Sequence, residues 1–343
     1  RFPALIAPWQ PFMDIAALEH EANGMRVRCA FDGDTFEMED QRQWGDASYK
    51  TYNRPLALPW PYVLEDGAAL AQSCEITWKP APLSAPARPA SAAQTALVPQ
   101  TALVLTAEDA RRLARQPEDL DVVRPQRLLC HVDAAAGPAA PQIAAFAEAQ
   151  AALPGILFDL ELICRFDGSQ PPGEELAAHA AAVRDSALAP ASVFVCPSVD
   201  RQSTPPGSDW PDCPPLEEVH AAAARAFPDL PRGGGMASLF TELNRKRPPL
   251  GHLDFVSHAL CPIVHAADDG HVMETLETIP HIARSMREII GGCGYRIGPA
   301  TIAMRQNPYG SRTIPNPEGG RVCMADDDPR HRGAFGAAYA LGL

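Results

Sequence analysis

From residue 101 onward the chain repeats one alternation, a short apolar run followed by an Ala-rich helical stretch. The runs fall at 102–105, 127–132, 156–163, 192–199, 236–240, 253–256 and 295–304, and the helical stretches at 107–116, 141–152, 173–188, 216–226, 272–290 and 329–341. Strand then helix, repeated, means parallel strands joined by crossover helices. Seven such strands, at intervals of roughly 20–45 residues, suit an α/β fold of the (β/α)₈ barrel type that lacks its last strand within this sequence. A doubly wound open sheet is the competing architecture. It usually carries a Gly-rich turn after its first strand, and none follows Leu105.

The first 79 residues have a different rhythm. In 25–31, Met25, Val27, Cys29 and Phe31 fall on one face and Arg26 and Arg28 on the other. In 70–78, Leu70, Cys74, Ile76 and Trp78 oppose Ser73, Glu75 and Thr77, with Gln72 the exception. This alternation is the mark of half-buried strands. Phe31 to Phe36, through Gly33, reads as a turn between strands. Residues 1–79 are therefore read as the C-terminal part of a β-sandwich domain. The stretch 80–100, with Pro80, Pro82, Pro86 and Pro89 among Ala and Ser, reads as a linker, and 101–343 as the barrel. The chain starts at Arg1 and ends in the helix after the seventh strand. Both ends are expected to be truncations, and the open strand edges this leaves are expected to make the piece poorly soluble or inactive by itself.

Composition narrows the function. There are 42 Asp+Glu against 29 Lys+Arg, and the longest basic run is Arg245, Lys246, Arg247. A nucleic-acid surface needs clustered positive charge, so no nucleic-acid partner is expected. The nine cysteines are scattered singly without a C-x-x-C pair. Cys130, Cys164 and Cys196 sit in apolar runs and read as small buried hydrophobes of a reducing compartment. No apolar stretch reaches the roughly 20 residues that span a bilayer. A cytoplasmic enzyme acting on a small metabolite is the expectation.

In such barrels the active site lies at the C-terminal ends of the strands. Glu161 sits inside an otherwise apolar strand, where an unpaired carboxylate is costly. It shares a strand face with Asp159, and is either catalytic or an ion-pair partner of a barrel arginine such as Arg165. Glu242 ends the fifth strand after Gly233, Gly234 and Gly235, and is either catalytic or a helix-start carboxylate. Two carboxylates on different strands divide acid and base work, so Glu161 and Glu242 are the expected catalytic pair. His131, Asp133, Asn244, His258, His265 and Arg305 are the expected substrate contacts. His131-x-Asp133 lacks a third ligand at diagnostic spacing, so neither metal nor cofactor is expected. The three glycines lack the Gly-Lys-Ser/Thr ending of a phosphate loop, and no G-x-S-x-G elbow occurs. Phe36 to Tyr52 is dense in polar and aromatic groups (Glu37, Glu39, Arg42, Trp44, Asp46, Ser48, Lys50, Tyr52), which read as a charged network joining the two domains or as ligand contacts.

The block from Phe36 to Tyr52 resembles a signature of the D-apionolactonase family. So do Phe240 to Arg245, Pro262 to Asp269 with Val272 to Leu276, and Asp328 to Arg330 with Phe335 to Ala340. The resemblance implies hydrolysis of the five-membered lactone of D-apionic acid, in bacterial breakdown of the plant sugar apiose. It also implies a longer parent protein. Two other readings fit the barrel. A retaining glycoside hydrolase would use the same two glutamates, and a carbohydrate-binding protein would use none.

Overall fold

The computed structural model describes residues 2–59, 61–82, 99–310 and 312–343. Most of the stretch read as a linker, 83–98, lies outside the described residues. The contacts divide the chain into two units. One holds residues up to 41 with 48–99 and 205–208, and the other holds 42–47, 100–204 and 209–343.

The first unit contains β1 (Phe12–Met13), β2 (Ala17–Ala22), β3 (Met25–Asp32), β4 (Glu37–Asp40), β5 (Tyr49–Tyr52) and β6 (Ser73–Pro80). They form two antiparallel three-stranded sheets, β1-β4-β5 and β2-β3-β6. The turn expected at Gly33 is present. Gly33 has φ +92°, and a Cβ there would lie 2.0 Å from the Ala71 carbonyl oxygen, so only glycine fits. The polar block closes on itself here: Tyr52 Oη donates to Glu37, which also accepts from the Leu56 amide at 2.9 Å.

The second unit contains the parallel strands β7 (Ala102–Leu105), β8 (Arg127–Asp133), β9 (Leu157–Cys164), β10 (Ser192–Pro197), β11 (Arg232–Leu239), β12 (Phe255–Leu260) and β13 (Gly294–Ala300). Their spatial order is their sequence order, with β7 and β13 at the two edges. Between them run α1 (Ala107–Arg115), α2 (Ala139–Ala152), α3 (Pro172–Asp185), α4 (Leu216–Ala226), α5 (Phe240–Arg245), α6 (Asp269–Glu274) and α7 (Ile279–Ile290), and α8 (Ala334–Gly342) follows. α1 starts on a capping box in which Thr106 and Asp109 each accept the other's backbone N–H. The single helix expected over 272–290 is broken into α6, a 3₁₀ turn at Thr275–Thr278 and α7, because Pro280 occupies the first turn of α7 and has no N–H to continue the ladder.

β9 shows why the apolar runs were legible. Every residue after Leu157 is buried. Leu160, Leu162 and Cys164 pack with Phe146 and Leu176 of α2 and α3. Ile163 packs with Phe194, Cys196, Ala237 and Phe255 in a second cluster. Both faces are covered, as a parallel strand requires.

Three strands depart furthest from expectation. β11 begins at Arg232, so Gly233, Gly234 and Gly235 are strand residues. A Cβ on Gly233 would meet the Phe255 ring at 2.2 Å, and one on Gly235, at φ +128°, would meet the Ser257 carbonyl oxygen at 2.2 Å. The glycines permit close approach to β12 instead of marking a loop. Gly235→Ala is expected to destabilise the fold by more than about 1 kcal/mol, read as a lowered denaturant midpoint at unchanged slope. β12 runs on through Ser257 and His258 to Leu260, past the apolar run that announced it. β13 ends at Ala300, leaving Arg305 in the loop beyond.

Candidate active site

His131 and Glu161 are register partners on β8 and β9. The strand register therefore sets them side by side on the same sheet face. His131 Nδ1 lies 2.6 Å from Glu161 Oε2. Arg305 arrives from the loop after β13, four strands away in the sheet. Its Nη2 donates to Glu161 Oε2 at 2.6 Å, with Nη1 3.4 Å from Oε1. That loop is turned back by the Met304 amide, which donates to the Ala325 carbonyl at 2.8 Å. Arg305 Nη2 and His131 Nδ1 are 3.2 Å apart and converge on one oxygen. With Nδ1–H donating to Glu161, the His131 Nε2 lone pair faces away from the carboxylate. Burial alone would raise the Glu161 carboxyl. The Arg305 charge and the His131 hydrogen bond outweigh it and hold the group at about 2. The expected arginine partner of Glu161 is thus real but is Arg305; Arg165 instead lies 3.7 Å from Asp167.

Asp159, on the same strand face, serves another purpose. Arg127 holds it through two contacts of 2.6 Å, Ser192 donates to it, and Arg296 lies 3.4 Å away. These residues sit at the N-terminal ends of the strands, the stabilising end of such barrels.

Glu242 lies on α5, directly after β11, and is almost wholly buried. Its Oε1 accepts from Ser203 Oγ at 2.5 Å and lies 3.3 Å from Arg245 Nη1, while Oε2 has no hydrogen-bond partner among the described residues. Burial pushes its carboxyl above the ordinary carboxylate range, against the pull of Ser203 and Arg245. Asp200 is raised by burial in the same way, with Lys246 Nζ at 2.7 Å pulling it back. The two expected catalytic carboxylates are therefore shifted in opposite directions from their ordinary values, Glu161 down and Glu242 up.

The remaining expected contacts divide. Asp133 accepts from the Ala135 and Ala136 amides at 2.9 and 3.1 Å and pairs with Arg201 at 2.5 Å, so it shapes the loop after β8. Asn244 is buried on α5, with Arg247 Nη2 3.3 Å from its Oδ1. His258 is fully buried inside β12, with Nδ1 3.0 Å from the Ala259 carbonyl and Nε2 2.8 Å from Tyr295 Oη. Both ring nitrogens are thus engaged within the core, and His258 is not brought to the His131–Glu161–Arg305 cluster by any of its contacts. His265 is partly exposed and lies 2.5 Å from Asp46 Oδ2. Sequence reasoning missed Ser203, Arg245 and Tyr309, which sit in polar loops and short elements without periodic pattern. The donor atoms of Cys164, Glu175 and His179 lie within 4.8 Å of one another and have metal-ligand chemistry. Both Glu175 oxygens there also accept backbone N–H groups, from Arg165 and Phe166 at 2.6 and 3.0 Å.

Comparison with known proteins decides the family. Residues 101–343 match the model of the D-apionate lactonase TIM barrel domain, and residues 1–81 that of the D-apionate lactonase N-terminal domain. The chain belongs to the D-apionate lactonase family. A D-apionate lactonase from Brucella anthropi is 48% identical over 350 aligned residues, which cover 99% of this chain and 57% of that protein. The chain thus spans a little over half the length of that relative. Among the described residues no helix is long and apolar enough to cross a membrane.

In this member of the D-apionate lactonase family, Glu161 also ties stability to pH. Its carboxyl is depressed from 4.5 to about 2 by folding. The stabilisation it brings is fully present above pH 4.5 and is lost as pH falls through about 2. Melting temperatures measured from pH 5 down to pH 2.5 are expected to fall more steeply for the wild type than for Glu161→Gln. Parallel curves would contradict the linkage.

Proposed function

We propose that this chain carries the catalytic site of a hydrolase that opens D-apionolactone to D-apionate. The observation that carries the reading is the His131–Glu161–Arg305 cluster, in the C-terminal halves of β8 and β9 and the loop beyond β13. A carboxylate held near pKa 2 is too weak a base for neutral pH, so Glu161 acts through His131. It fixes the imidazole tautomer and steadies the imidazolium that forms. His131 Nε2 takes a proton from water as the water oxygen attacks the lactone carbonyl. The acyl carbon–ring oxygen bond then breaks, and the departing alkoxide takes a proton from Glu242; the imidazolium of His131 afterwards releases its proton to solvent and Glu242 takes one up from solvent, which resets both groups. Lactone and water thus give a hydroxy acid, which releases its own proton to solvent. Arg305 keeps Glu161 ionised and in place.

Glu242→Gln is expected to lower turnover in a protein that still melts cooperatively, because the amide oxygen can still accept from Ser203 and Arg245 while the amide cannot give up a proton to the leaving group. A turnover equal to wild type would remove Glu242 from the reaction. The reading as a whole is tested by incubating the purified protein with D-apionolactone and following proton release. The family match favours the lactone over glycosides. Hydrolysis of aryl glycosides with no lactone opening above the buffer rate would replace this reading with the glycosidase one.

A further inference from the structure

The segment 42–47 lies between two strands of the first unit yet belongs to the barrel unit. It is anchored there by its backbone: Thr241 Oγ1 donates to the Gln43 carbonyl at 2.9 Å, and Thr278 Oγ1 to the Gly45 carbonyl at 3.1 Å. Anchoring it brings two side chains to the same place. Asp46 Oδ2 lies 2.5 Å from His265 Nδ1. Trp44 is buried, and its ring meets His265 edge-on at 6.0 Å and Tyr309 at 5.5 Å between centroids. His265 and Tyr309 keep exposed surface, with Tyr309 53% exposed.

This group adjoins the proposed catalytic residues from two sides. Trp44 packs in one apolar cluster with Met304, the neighbour of Arg305. The Arg245 guanidinium, which contacts Glu242, lies 5.8 Å from the centre of the Trp44 ring. The loop that carries Arg305 also carries Tyr309, four residues on.

We infer that His265 and Tyr309 form a recognition surface for the hydroxyl-bearing carbon skeleton that a polyhydroxylated five-membered lactone shares with its open-chain acid, with Asp46 and Trp44 as the positioning residues behind them. The inference rests on the lactonase reading for its location and adds the residues that recognise the substrate's hydroxyls and C–H face. A sugar ring offers hydroxyls on its edge and C–H bonds on its face. An exposed tyrosine ring suits the C–H face. An imidazole whose Nδ1–H is held by a carboxylate presents Nε2 as a fixed acceptor for a hydroxyl. Asp46 fixes that tautomer, and Trp44 stops both rings from collapsing inward. Two members of the polar and aromatic block, Trp44 and Asp46, thereby acquire a role.

The test compares two ligands by calorimetry, a polyhydroxylated sugar acid (D-apionate) and 4-hydroxybutyrate, which keeps the carboxylate and one hydroxyl. His265→Gln and Tyr309→Leu are each expected to weaken the sugar acid about tenfold, the worth of one good hydrogen bond or contact, and to leave 4-hydroxybutyrate within twofold. Asp46→Asn is expected to raise KM for the lactone with little change in kcat, and Asp46→Glu to recover part of the loss. Sugar-acid affinity unchanged in all three variants, at wild-type melting temperatures, would overturn the inference. A wild type that binds the sugar acid, loses it on His265→Gln, and opens no lactone would leave the recognition surface standing and sink the lactonase reading.

Discussion

Glu161→Gln is expected to lower kcat for the lactone by about 10²–10⁴-fold, the usual worth of a positioned acid–base group. The change is nearly isosteric, so the barrel packing around β9 survives it. Two things are lost. The His131 Nδ1–H no longer faces an anion, so the tautomer that exposes a basic Nε2 is not enforced. The imidazolium formed during attack also has no counter-charge within 2.6 Å. The loss should fall on kcat and kcat/KM alike, because the interaction strengthens only as charge develops on the imidazole. A rise in KM with kcat unchanged would mean that Glu161 binds substrate and does not support a base.

Arg305→Met is expected to be the most destabilising single change at the site, by roughly 3–5 kcal/mol, because it leaves the Glu161 charge buried and uncompensated. Glu161 is 2% exposed, so water cannot solvate the abandoned carboxylate. His131 remains a partner, yet it must gain a proton to supply charge. The double variant Arg305→Met/Glu161→Gln is therefore expected to recover a large part of the lost stability, since a neutral amide costs less to bury than an unpaired ion. Denaturant unfolding of wild type, both single variants and the double variant gives the coupling energy directly. Additive single effects would show that Arg305 and Glu161 are not energetically joined.

Much of this fold was readable beforehand for a definite reason. Parallel strands covered on both faces are mostly apolar runs, as in β9 and β10, whose residues are buried almost throughout. Where a strand needs close backbone approach, as at Gly233 to Gly235, the residues it requires are the ones that elsewhere signal loops, so the apolar run at 236–240 marks only the later part of β11. β12 was cut short because Ser257 and His258 interrupt its apolar run.

The site was legible in part by the same logic. Glu161 stood out because a carboxylate in an apolar strand must be satisfied by something. What satisfies it was not legible. Arg305 comes from a loop after β13, and His131 depends on a β8–β9 register that spacing alone does not give. His258 shows the converse limit. A polar residue near a strand end is indistinguishable in sequence from one whose two nitrogens are absorbed by Ala259 and Tyr295. Asp46 and His265 lie 219 positions apart, and only the fold puts them in contact.

The central claim is that His131, held by Glu161, is the base that delivers water to a lactone. The most direct measurement is the initial rate of proton release from D-apionolactone by wild type and by His131→Ala, at equal folded concentration checked by thermal melting. The account predicts lactone opening well above the buffer rate for the wild type and a loss of about 10²–10⁴-fold in His131→Ala. A His131→Ala protein that opens the lactone at the wild-type rate would contradict it.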